Sequence, residues 1–166
     1  MPATREHMEQ QRDVWRPLLN ARGDSDASWP WLEELIEAEA HELEWEAYAL
    51  VESPGVLHGL MSIRLMAETV YVERIAVAPW NRVGSVPRQR LACGSRLLVH
   101  AMRKSVAKGY GGRISLHALE EPNAPKFYRE QIKMTEVRID FIDEMYLRYF
   151  ELSDAQALEW IEVEVK

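Results

Sequence analysis

Apolar and polar positions repeat with two different periods along the chain, and the switches between them mark out its elements. Residues 9–20 recur at helical spacing, which predicts a short amphipathic helix broken by Pro17 and closed by the turn-rich residues 22–26. A clearer helix starts from a cap at Ser28, with Pro30 near its first turn, and runs to about His41 or Leu43. Leu32, Leu35, Ile36 and Leu43 share one of its faces and glutamates the other. The period then drops to two. Residues 45–51, the Pro54-Gly55 turn and residues 56–65 predict a hairpin, and residues 69–77 add a third antiparallel strand halted by Pro79.

Helical spacing returns at Leu91, Leu98, Met102 and Val106, with Gly109 as the stop. A strand at 113–118, a short helix around 125–131, a last strand at 145–152 and a helical turn with a polar tail from Ser153 complete the reading. This order gives a mixed α/β (α+β) fold with both antiparallel and parallel strand pairs. No repeat or Ser/Gly-rich linker interrupts the 166 residues, so one domain is expected: a helical part at 1–44, a sheet core at 45–152 and a tail at 153–166.

Composition narrows the function classes. With 47% hydrophobic and 28% charged residues the chain is neither compositionally disordered nor membrane-embedded. A net charge of −7 argues against nucleic acid as the main partner. Cys93 is the single cysteine, so neither a disulfide nor a thiolate-rich metal cage is expected. No export signal and no apolar run of the ~20 residues needed to span a bilayer is visible, so the expected location is cytoplasmic, with no membrane partner. The net charge hides an asymmetry: residues 74–119 hold nine Arg or Lys and no Asp or Glu, leaving −16 for the rest of the chain. A cationic block inside an acidic protein fits a polyanionic ligand, although a solvated basic helix face looks the same.

The chemistry is concentrated after the third strand. Val77-Ala78-Pro79 leads into a loop that feeds a helix whose first turn, Ala92-Cys93-Gly94-Ser95, carries only small side chains. Free backbone N–H groups there can approach an anion, aided by the helix dipole and by Arg88, Arg90 and Arg96. At these residues the sequence resembles the GNAT superfamily of acyl-CoA-dependent N-acyltransferases. The family signature is Gln/Arg-x-x-Gly-x-Gly/Ala after a strand ending Val-x-Pro, and Gln89, Ala92 and Gly94 occupy its marked positions. Residues 126–134 are similar to the family's Phe-Tyr-x-x-x-Gly-Phe/Met segment, through Phe127, Tyr128 and Met134. The pattern is departed from in four places. Ala92 stands for a glycine, Lys133 for another, the loop from Pro79 to Gln89 is longer than usual, and one residue is inserted between Tyr128 and Met134.

The resemblance implies a GNAT-like central sheet, antiparallel hairpins followed by a parallel β-α-β unit with helices on both faces. It further implies an N-acetyltransferase moving an acetyl group from acetyl-CoA, its co-substrate, to a primary amine of a small molecule or protein by direct transfer, with no metal. The pyrophosphate would lie on the amides of Leu91, Ala92, Cys93, Gly94 and Ser95 beside Arg88, Gln89 and Arg90, and the pantetheine arm along the backbone of Ile75, Ala76 and Val77. Glu73 matches the position of the proton-accepting carboxylate and Tyr128 that of the general acid. A strand glutamate paired with a neighbouring base is the plainer alternative for Glu73, and ring packing for Tyr128. His117, His58 and Glu52 are rival bases, and Cys93 reads as a spacer rather than a nucleophile. Most of the six tryptophans read as buried, with Trp80 the one placed to wall an acceptor pocket. A homodimer stays open, as do two rivals: a non-catalytic acyl-CoA-binding regulator of the same fold, and an interaction module using the basic face of Arg96, Arg103, Lys104 and Lys108.

Overall fold

The computed structural model describes residues 1–52, 55–82, 84–85, 92–120 and 123–164. Six strands, β1 (Trp45–Glu52), β2 (Val56–Leu65), β3 (Val70–Val77), β4 (Ile114–Leu119), β5 (Thr135–Ile142) and β6 (Met145–Leu152), hydrogen-bond in the order β1-β2-β3-β4-β6-β5. β3 and β4 are parallel, with Val70, Tyr71 and Val72 opposite Ile114, Ser115 and Leu116. β6 is antiparallel to both β4 and β5. The mixed sheet expected from the sequence is present. By density of contacts the chain groups into two compact units, Met1–Ser62 with Arg74–Leu97, and Ile63–Glu73 with Leu98–Lys166.

The first unit is built on tryptophan. Helices α1 (Arg5–Gln10), α2 (Arg16–Arg22) and α3 (Trp31–His41) bury Met8, Trp15, Leu19, Trp31 and Leu35 together with Leu57, Leu60, Ala76 and Ala78 of the strands. Trp80 meets Trp15 edge-on at 6.1 Å, so it packs with this core rather than standing apart. Pro17 does not break the first helix. A π-helical turn at Gln11–Trp15 joins α1 to α2, and its wider coil accommodates a residue that lacks an N–H and crowds the preceding turn. α3 begins at Trp31, with Pro30 rather than Ser28 at its cap position, and Ile36 and Leu43 are exposed, whereas Ala38 is buried. The N-terminus extends the sheet edge: the Ala3 N–H donates to the Ala47 carbonyl at 2.8 Å and the Ala49 N–H to that of Met1 at 2.9 Å.

Ion pairs in this unit take up part of the basic run at residues 74–119. The Arg74 guanidinium grips Glu34 at 2.7–3.1 Å and lies over the Trp29 ring, and Arg82 pairs with the buried carboxylate of Asp26. Part of the basic run is therefore matched to acids of the helical N-terminus, and Glu34 is tied up in structure.

The second unit buries Val70, Val72, Ile114, Leu116, Phe150 and Leu152 on one sheet face with Leu98 and Met102 of α4 (Cys93–Ala107) and Ala157 of α6 (Asp154–Glu164). The sequence reading leaves residues 135–142 unassigned, yet they form β5. They join β6 through Asp143 and Glu144, whose φ angles of 49° and 63° are those of a tight hairpin turn made without glycine. The tail after Ser153 is a full helix. The Ser153 hydroxyl accepts from the Gln156 N–H and the Gln156 amide oxygen from the Ser153 N–H, a reciprocal cap that starts α6. Trp160 then donates from Nε1 to the Ile132 carbonyl at 2.9 Å.

Candidate active site

Helix α4 starts at Cys93. The Arg96 N–H donates to the Ala92 carbonyl at 3.0 Å, which makes Ala92 the residue before the first turn. Its φ of 59° is left-handed, a conformation that glycine adopts without strain. The N–H groups of Gly94 and Ser95 follow within that first turn. Cys93 is buried, 4% exposed, as suits a spacer. Arg88, Gln89, Arg90 and Leu91, named from the sequence for the pyrophosphate, lie outside the described residues.

Ile75, Ala76 and Val77 end β3 in the same unit. The described β3–β4 ladder stops at Val72, five residues before the strand does. The Val77 carbonyl accepts from Arg82 Nε at 2.8 Å, so one of its two lone pairs is in use. Across β2, Gly59 keeps the space open: a Cβ there would lie 2.8 Å from the Leu97 side chain of α4 and 3.4 Å from the Ala76 carbonyl.

Glu73 and Tyr128 belong to the second unit. Glu73 Oε1 is 2.9 Å from an Arg64 guanidinium nitrogen, while Oε2 is buried without a partner among the described residues. The plain pairing and the catalytic reading thus fall on different oxygens of one carboxylate. Tyr128 sits in a π-helical turn, Phe127–Ile132, that follows α5 (Ala124–Lys126); the Met134 N–H reaches back to the Tyr128 carbonyl at 2.9 Å. The widened turn absorbs the one residue inserted relative to the family pattern, and Lys133 ends it with a φ of 68°. The ring packs against Phe127 and Phe150, and burial pushes the phenol well above its ordinary pKa.

The rival histidines have separate surroundings. His58, buried in the first unit, accepts at Nδ1 from the Asn81 amide at 3.0 Å, and its Nε2 lies 3.3 Å from Glu52 without hydrogen-bond alignment. Burial lowers its pKa. His117, in the second unit, bridges two groups that the sequence reading does not name: Tyr71 Oη is 2.8 Å from Nδ1 and Asp140 Oδ2 is 2.8 Å from Nε2. Their separations of 46 and 23 residues leave no local spacing to find them by; only the period-two alternation of β3 and β5 hints at a shared face. Among the described residues no three His, Cys, Asp or Glu gather to hold a metal ion, and no helix is long and apolar enough to cross a membrane.

This architecture is the fold of the GNAT-family N-acetyltransferases. A putative acetyltransferase of that family from Desulfovibrio desulfuricans superposes with a TM-score of 0.64 at 14% identity, over 87% of this chain and 93% of its own. Spermidine N-acetyltransferase from Vibrio cholerae, solved with CoA and spermine, gives 0.63 at 18% identity over 95% and 96%. The PaiA N-acetyltransferase of Thermoplasma acidophilum, solved with coenzyme A, gives 0.60 at 14% identity over 92% and 96%. No family model and no curated protein matches the chain.

Proposed function

We propose that this chain transfers the acetyl group of acetyl-CoA directly to a primary amine. The observation that carries the reading is the start of α4, where Ala92 adopts a left-handed conformation ahead of the small residues Cys93, Gly94 and Ser95, within a fold shared with N-acetyltransferases solved with CoA. Backbone amides in such a turn suit a pyrophosphate, and the end of β3 suits the amide-rich pantetheine arm as an added strand.

The reaction needs an amine lone pair. An ammonium of pKa about 10.4 is protonated at neutral pH and cannot attack until it gives up that proton. The unpartnered Oε2 of Glu73 is the acceptor, directly or through one water, and Arg64 holds the other oxygen in place. The nitrogen then adds to the thioester carbonyl, the C–S bond breaks with its electron pair going to sulfur, and the extra proton on the nitrogen passes to that thiolate, which leaves an amide and a free thiol. Tyr128 donates a hydrogen bond to that sulfur. Since a thiol's ordinary pKa is about 8.5 and burial raises the phenol, full proton transfer from Tyr128 is uphill, and stabilising the developing thiolate is its larger contribution.

The test is thiol release from acetyl-CoA across polyamines, amino acids, aminoglycosides and peptides, with Glu73→Gln and Tyr128→Phe alongside. One amine class should turn over; Glu73→Gln should lower kcat on the order of 100-fold and Tyr128→Phe about 10-fold. Full kcat in both variants overturns the assigned roles. Coenzyme A binding without turnover on any amine returns the chain to the non-catalytic regulator.

A further inference from the structure

The geometry points to a proton relay through Tyr71, His117 and Asp140 that carries away the proton released by the acceptor amine, an inference that rests on the acetyl-transfer reading. Asp140 is a carboxylate and accepts only, so the 2.8 Å contact at Oδ2 puts the imidazole proton on Nε2. Nδ1 is then the acceptor, and the Tyr71 hydroxyl donates to it at 2.8 Å. A hydroxyl donating to an imidazole whose far nitrogen is held by a carboxylate is an acid–base arrangement in which each member fixes the donor direction of the next.

The sheet delivers this alignment. Tyr71 and Ser115 are register partners in the parallel pair, and alternation puts Tyr71, Glu73, Ser115 and His117 on one face. His117 is paired with Tyr149 of β6, whose ring lies 4.9 Å away, and β5 brings Arg138 and Asp140 onto the same side. Among the described residues, the charged and titratable groups on this face include Tyr71 and Glu73 from β3, Tyr149 and Glu151 from β6, and Asp140 and Arg138 from β5. Arg138 Nε donates to both oxygens of Asp140 at 2.9 and 3.0 Å and its guanidinium covers the Tyr149 ring. Asp140 is held ionised below the usual carboxylate range, first by its bond to His117 and then by Arg138.

The proton balance closes without any further reagent. The ammonium N–H bond breaks as a new O–H bond forms at Glu73 Oε2, directly or through one water; the proton then passes to the Tyr71 oxygen as the original Tyr71 proton moves to His117 Nδ1, and the imidazolium so formed faces the Asp140 carboxylate. The neutral amine keeps its electron pair for the thioester. Passing the proton on to the relay frees the Glu73 carboxylate to receive the next one. His117 returns the proton to solvent before the next turnover.

The relay is tested in the full chain with His117→Gly, His117→Gln, Asp140→Asn and Tyr71→Phe. With the best amine, the acid limb of the kcat/KM pH profile should change in His117→Gln and kcat should fall about 10- to 100-fold. Added imidazole should restore part of the turnover of His117→Gly, a rescue that a purely structural role would not give. Independently of turnover, nitrogen-15 NMR should find the proton of neutral His117 on Nε2 in the wild type and a changed tautomer balance in Asp140→Asn. An unchanged pH profile in His117→Gln, or an Nδ1-protonated neutral ring, overturns the relay. If no amine is acetylated by the wild type, the acetyl-transfer reading fails, and the NMR result alone decides whether the hydrogen-bonded chain exists.

Discussion

Single residues hold the most exposed consequences of this structure. Lys133 and Glu144 adopt φ angles of 68° and 63°, a region that disfavours a Cβ. Lys133→Gly, which restores the residue the resembling family carries, and Glu144→Gly in the β5–β6 turn should each stabilise the fold by about 0.5–1 kcal/mol, measured as a raised denaturation midpoint. A lowered midpoint would contradict the left-handed assignment. His58 gives the pH counterpart. Its folded pKa is lowered by burial, so the unfolded chain takes up the proton first. Stability from this group should therefore fall as pH drops below about 6.5, by at most about 1.4 kcal/mol per pH unit, until the folded imidazole is protonated too. Urea titrations between pH 7 and 5 should show that slope in the wild type and lose it in His58→Gln; equal slopes would contradict it.

Elements explain what the sequence could and could not disclose. The period-two runs of β1, β2 and β3, the stop at Pro79 and the small residues opening α4 are legible because each is a local pattern with a local cause. β5 is not: it alternates, but Ile139 and Phe141 are exposed and its turn at Asp143 and Glu144 lacks the glycine that signals a hairpin. α6 hides in a polar stretch whose start depends on the reciprocal cap between Ser153 and Gln156. At the candidate site Glu73 and Tyr128 can be named from their motifs, whereas Arg64, Tyr71 and Asp140 become visible only when strands distant in sequence are laid side by side. One glycine tests the packing of these elements. A Cβ at Gly112, where φ is 92°, would lie 2.7 Å from that of Ala157 on α6. Gly112→Ala should destabilise by about 2–4 kcal/mol through strain and overlap together, and a change below about 0.5 kcal/mol would show that α6 does not dock there.

At the scale of the whole molecule, an acidic chain reserves a run without Asp or Glu for the segment that starts α4, and neutralises part of it from within through Glu34 and Asp26. Under the proposed transfer, the small-residue start of α4 would take the anionic co-substrate, and the carboxylate and imidazole groups along β3 and β4 the amine. The most direct measurement is a mass-resolved count of products from acetyl-CoA and the preferred amine, with free thiol followed in the same reaction. One N-acetylated amine for each thiol released, with no release when the amine is withheld, is the predicted result. Thiol appearing without an acetylated amine would contradict direct transfer.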